Sequence, residues 1–167
     1  MIELSNISEG IWGNISKRAD GTLDRKEDIA VREFIDFGDD CTVYWAKDAL
    51  EIDGKNLFYF EDVQDYNDRE WRLPTVEEVK QVGLNYIVSR SWYRDDDGIG
   101  YIWIQYPNGT LRIKTEDGMA SSINMWTKDR NNIFNNQAYY YNYKFETYSG
   151  AIKISRLYVF LVKDKKK

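Results

Sequence analysis

Trp71-Arg72-Leu73-Pro74-Thr75-Val76-Glu77-Glu78 is the stretch on which the fold turns. Pro74 fixes the entry of the chain into a helix, and Thr75 is a natural N-cap. Glu78 stands three residues further on, the spacing of a capping box. Val76, Val79 and Val82 then recur at helical spacing, and Gly83 closes the segment. Glu77 and Glu78 occupy the first turn, where the helix dipole favours negative charge. They read as helix starters rather than as a catalytic carboxylate pair. Just upstream, Trp71 and Leu73 are expected to pack at the junction of helix and sheet. Arg72 between them points the other way, toward an acid or loop carbonyls.

The flanks read as short strands. Before the helix, Glu33-Phe34-Ile35-Asp36-Phe37 alternates and ends at Gly38, Thr42-Val43-Tyr44-Trp45-Ala46 is β-branched and aromatic, and Leu57-Phe58-Tyr59-Phe60 follows the Asp53-Gly54 turn. Residues 61–67 suit a short helical turn. After the helix, Ser91-Trp92-Tyr93, Gly100-Tyr101-Ile102-Trp103-Ile104 and Thr110-Leu111-Arg112-Ile113-Lys114 are strand signals. Pro107-Asn108-Gly109 joins the last two as a hairpin. Gly150 is read as a turn leading into Ile152-Lys153-Ile154. Residues 157–162, an almost unbroken apolar run, read as a central strand buried on both faces. With no internal repeat or linker, the expected fold class is α+β, with few helices.

Composition excludes several functions. At 16% aromatic, 167 residues have ample material for one core. The 23 basic and 28 acidic residues leave a net charge of −5. That argues against nucleic acid as a partner, since phosphate contacts need a clustered basic face. The one dense basic run, residues 163–167, reads as a solvated tail. There is no histidine, which removes Ser-His-Asp and Cys-His catalysis and the best neutral-pH proton carrier. The single Cys41 permits no intramolecular disulfide and no ordinary zinc site; it is expected as a small apolar filler beside a strand. No run is apolar enough for a membrane-spanning helix, so membrane insertion is not expected. The N-terminus lacks a secretory signal. Localisation is therefore open: cytoplasmic or virion-associated as the chain stands, surface-exposed if a leader precedes it.

The order of these pieces resembles a bacterial family of short C-type-lectin-like domains, which includes the Fibrobacter succinogenes major paralogous domain and the Legionella collagen-like protein C-terminal domain. The carriers are Phe34-Ile35-Asp36-Phe37-Gly38, Val43-Tyr44-Trp45-Ala46, and above all Trp71-Arg72-Leu73-Pro74-Thr75 with Glu77-Glu78. Gly98-Ile99-Gly100-Tyr101, Met125-Trp126-Thr127, Ala138-Tyr139-Tyr140 with Phe145, and residues 156–162 follow in the family's order. The resemblance implies short twisted antiparallel sheets, one or two short helices and long loops. It covers residues 33–163, leaving 1–32 as an N-terminal extension or strand packed on the body and 164–167 as a basic tail. Ile11 and Trp12 are the residues of the extension able to pack. The closing strand departs from the family in Tyr158-Val159-Phe160-Leu161. The segment Arg112-Ile113-Lys114-Thr115-Glu116-Asp117-Gly118 departs near the loops where such folds bind, which leaves the ligand undetermined. The fold also supports formylglycine-generating enzymes, but their copper site needs a cysteine pair, and Cys41 has no partner. A non-enzymatic module is expected.

Two oxygen-rich clusters bear on calcium: Asp95-Asp96-Asp97-Gly98, and Glu61-Asp62 with Asp65, Asn67 and Asp68. Neither has EF-hand spacing, and consecutive aspartates on a strand cannot converge on one ion. No cofactor is expected, with calcium the alternative. The most unusual stretch is residues 129–143, rich in Asn and Tyr. Tyr gives amphipathic contact area at low entropic cost and Asn gives adaptable hydrogen bonds. Diversified phage and bacterial receptor-binding proteins built on this fold vary a comparable C-terminal stretch. The candidate ligand-binding residues are Arg130, Asn131, Asn132, Asn135, Asn136, Tyr139 and Tyr141; Trp126 is assigned to the core. Strand alternation turns inward either Tyr139, Tyr141, Tyr143 and Phe145, or Ala138, Tyr140 and Asn142. The expected function is recognition of a glycan or protein on a cell or particle surface through residues 115–143. The alternative is a structural or assembly component of a phage particle or surface complex, with a homo-oligomer or virion proteins as partners.

Overall fold

The computed structural model describes residues 32–83, 89–115 and 123–165. Apart from Arg32, these belong to the unit Glu33–Lys167. All but the last residue of the expected extension over 1–32, the departure at Glu116-Asp117-Gly118 and the last two tail lysines lie outside the described residues.

The architecture is mixed α+β with few helices: small antiparallel sheets and two short helices. Strands β1 (Phe34–Ile35) and β2 (Val43–Ala46) precede β3 (Phe58–Tyr59), which runs into α1 (Phe60–Val63). Strands β4 (Asn67–Asp68) and β5 (Trp71–Arg72) lead to α2 (Val76–Val82). Then come β6 (Ser89–Arg94), β7 (Gly100–Tyr106), β8 (Gly109–Lys114), β9 (Asn124–Arg130), β10 (Gln137–Asn142), β11 (Thr147–Ala151), β12 (Arg156–Leu157) and β13 (Val162–Asp164). The sheets have the orders β1-β2-β13-β5-β4, β8-β7-β6, β9-β10-β11 and β12-β3.

The helix over 76–82 forms as its sequence dictates. Thr75 accepts the Glu78 N–H at 3.1 Å, Glu78 accepts the Thr75 N–H at 2.9 Å, and Gly83 ends the helix in the left-handed region at φ 50°. Arg72 pairs with an acid and with a carbonyl. It forks onto both Glu78 oxygens at 2.9 and 2.7 Å, reaches Asp164 at 2.8 Å and donates to the Leu73 carbonyl. Trp71 and Leu73 are buried, but beside Phe60 and Val63 of α1 and Trp126 rather than under α2, whose Val79 joins the other half of the core.

The core has two clusters, and the closing run divides them. Tyr158, Phe160 and Val162 face a cluster holding Trp45, Ile102, Ile104, Ile113, Met125 and Tyr141. Val159 and Leu161 face the other, with Phe60, Leu73, Trp126 and Ala138. The period of two explains why the sequence there is apolar at every position. The backbone is less regular than a continuous strand. Ladder pairing covers only β12 and β13, and between them the chain is held by Ala46 N–H to Leu161 O (2.9 Å), Leu50 N–H to Val159 O (2.7 Å) and Trp126 N–H to Tyr158 O (3.0 Å).

The hairpin at Pro107-Asn108 forms with Tyr106 opposite Gly109. Cys41 is buried at the end of α2, 3.5 Å from the Gln81 carbonyl, and burial pushes its thiol above the usual range. Gly150 is not a turn. It lies within β11 opposite Ala138, where a side chain would meet the Tyr140 ring at 3.0 Å. The turn comes two residues later and leaves Ile152 buried and Ile154 exposed. Among the described residues no helix is long and apolar enough to cross a membrane.

Candidate functional site

The helix start and the sheet β9-β10-β11 are tied together by polar contacts. The Val76 N–H donates to Asp129 Oδ2 at 2.8 Å, and the Lys128 N–H donates to the Pro74 carbonyl at 2.8 Å. The ladder between β9 and β10 is irregular between Trp126 and Arg130. There the fully buried Thr127 donates to the Tyr139 carbonyl and accepts the Asp129 N–H. A bulge of this kind re-aims the side chains that follow it. Asp129 and Arg130 consequently border a groove of about 450 Å³ between α2 and β11, lined by Val76, Lys80, Asn132, Tyr139, Tyr148 and their neighbours. That volume falls within the ~300–1,000 Å³ of small-molecule sites.

The loop between β9 and β10 forms one lip of the groove. Asn131 Oδ1 accepts the N–H groups of Ile133 and Phe134 at 2.8 and 3.0 Å. The Asn131 N–H donates to the Gln137 carbonyl, and the Gln137 N–H to the Phe134 carbonyl. Arg130 donates to the Asn135 carbonyl at 2.7 Å, meets Glu61 at 3.3 Å and lies over the Phe60 ring. Braced by these bonds, the loop holds Ile133 (81% exposed) and Phe134 (57%) out to solvent.

The seven sequence-derived candidates are therefore divided. Arg130, Asn132 and Tyr139 line the groove. Asn131 shapes the loop, while Asn135 and Asn136 are exposed beside it and contribute carbonyls, Asn136 to the Ile152 N–H. Tyr141 is a core residue, fully buried between Trp45 and Phe145, and no surface ligand reaches it. Both alternation sets face inward, Tyr141, Tyr143 and Phe145 toward one cluster and Ala138 and Tyr140 toward the other. Ala138 and Tyr141 are both buried, because β10 packs one face on each cluster.

Among the described residues the Tyr141 hydroxyl has no hydrogen-bond partner, and burial pushes its pKa well above the usual 10. A raised folded-state pKa contributes stability that is whole below the unfolded pKa and is lost as pH rises toward the folded one. Tyr141→Phe removes an unsatisfied buried hydroxyl, so it should leave stability at pH 7 unchanged or raised by about 1 kcal/mol. Its melting temperature should also fall less than wild type between about pH 9 and 11. Thermal melts across that range check both points.

Sequence reasoning missed Val76, Lys80, Thr147, Tyr148 and Ser149 as groove residues. Lys80 carried a faint signal, a basic residue on the exposed side of a short helix. The Thr147-Tyr148-Ser149 wall carries none, because Gly150 reads as a turn in the sequence.

Three residues of the oxygen-rich clusters, Asp95, Glu61 and Asp68, make local contacts. Asp95 Oδ1 accepts the N–H groups of Asp97 and Ile99, closing the turn between β6 and β7 around Gly98 at φ 82°. Glu61 pairs with Arg130 and Asp68 with Arg69. Among the described residues no group of three or more Asp, Glu, His or Cys is arranged to hold a metal ion. Comparison with known protein families, curated proteins and solved structures finds no match for this chain.

Proposed function

We propose that this chain is a non-enzymatic binding domain of C-type-lectin-like architecture that recognises a glycan or protein on a cell or particle surface. The observation that carries the reading is the self-locked loop over 131–136, which presents Ile133 and Phe134 at the lip of the groove lined by Asn132 and Tyr139. Rigid presentation of an aromatic anchor beside a polar, concave surface lowers the ordering cost of binding. The fold assignment draws support from the order of the motifs, the capped helix after Trp71-Arg72-Leu73-Pro74, and the closing run threaded through the core.

A second reading is an assembly component. Ile154, 82% exposed, follows β11 at the same sheet end as Ile133 and Phe134. Three large apolar side chains at one end suit burial against another subunit. The test is saturable attachment of the labelled full chain to intact bacterial cells and to a glycan array. A variant carrying Asn132→Ala, Phe134→Ala and Tyr139→Ala is measured beside it, and sedimentation of both reports self-association.

A further inference from the structure

The sheet β8-β7-β6 turns Ile102, Ile104, Leu111 and Ile113 to the core and an aromatic row outward. Tyr93 lies opposite Tyr101, and Lys114 lies opposite Tyr101 on its other side; Trp103 faces Arg112 across the next pair. The Tyr93 ring stacks on Trp103 at 5.0 Å and 5°, with Tyr93 47% exposed. The Arg112 guanidinium covers Tyr101 at 4.1 Å and Trp103 at 5.2 Å. Beyond it a pocket of about 130 Å³ is bounded by Tyr101, Arg112, Lys114, Asp48 and Glu51. Two ion pairs hold these charged groups: Arg112 grips both Asp48 oxygens at 2.6 and 3.1 Å, and Lys114 meets Glu51 at 3.3 Å.

We propose that this outer face is a second binding site, separate from the groove, for a neutral saccharide chain. A sugar ring offers an apolar C–H face and a belt of hydroxyls that both donate and accept. Here a supported aromatic ring stands beside fixed donors and acceptors, each already oriented by its ion-pair partner. Two acids and two bases line the pocket, so its formal charge is zero. That balance favours a neutral polyol over an anionic or cationic ligand. The row crosses three strands spaced about 4.8 Å apart, so it is long enough for a chain of sugars rather than a single ring.

The test titrates the full chain with neutral gluco-, manno-, galacto- and xylo-oligosaccharides, followed by heteronuclear NMR. Saturable shifts centred on Tyr93, Tyr101 and Trp103 are expected from at least one of them. Tyr93→Ala should weaken that binding about tenfold, while Tyr93→Phe, which keeps the ring, should retain it. An unchanged melting temperature for both variants shows that the fold persists. The proposal is overturned if no neutral oligosaccharide binds at about 10 mM, or if only acidic ones do. It is equally overturned if Tyr93→Ala leaves binding unchanged while Tyr139→Ala abolishes it, since the sugar would then occupy the groove.

Discussion

Trp126→Ala is expected to cost about 3–5 kcal/mol of unfolding free energy, the range for a buried Trp cut back to alanine. Trp126 is fully buried, edge-on to Phe60 at 5.4 Å and to Tyr140 at 6.3 Å. Its indole N–H donates to the Phe58 carbonyl at 2.8 Å across 68 residues of sequence. The substitution empties the centre of the second cluster and removes that hydrogen bond. Domains of this size are stable by about 5–15 kcal/mol, so the variant should be marginal at 37 °C. Trp126→Phe keeps most of the ring and loses the donor, and should cost about 1–3 kcal/mol. Urea unfolding with an unchanged m-value checks both.

Arg72→Ala should cost about 2–4 kcal/mol. The Glu78 side chain is only 12% exposed and Arg72 22%. Removing the guanidinium leaves a largely buried carboxylate with the Thr75 N–H as its remaining partner among the contacts above. The Asp164 contact adds little, because that side chain is 76% exposed. Arg72→Lys should recover only part of the loss, since an ammonium cannot make the bidentate fork. Arg72→Met with Glu78→Gln should recover more than Arg72→Ala alone, because no charge is then left buried. Chemical denaturation of the four proteins measures the ordering.

These two positions also show what was legible in the sequence. The capped helix was readable because its contacts are local: Thr75 and Glu78 are three residues apart and need no tertiary information. Arg72 was placed correctly between two apolar neighbours for the same reason. The closing run announced burial on both faces but not its broken ladder, because its backbone partners change midway from β3 to β2 and β5. Strand β11 was hidden because Tyr148 and Ser149 are exposed at a sheet edge, where no apolar alternation is required. Tyr141 reads from the sequence as a ligand residue yet is core, because β10 is packed on both sides, which erases the period that separates core from surface. The groove was invisible because it is assembled from α2, β9, the following loop, β10 and β11, which only the topology brings together.

Under the proposed function, recognition resides in the loop over 131–136 and the adjoining groove. Attachment of the Asn132→Ala, Phe134→Ala, Tyr139→Ala variant to cells or glycans, at a melting temperature matched to wild type, tests it most directly. Wild-type binding should be saturable and fall about 100-fold or more in the variant, as expected when an aromatic anchor and its polar neighbours are removed together. Equal binding by the two proteins would contradict it. So would a wild-type chain that binds nothing but sediments as a stable oligomer which the variant disrupts, and that outcome would make the same surface an assembly contact.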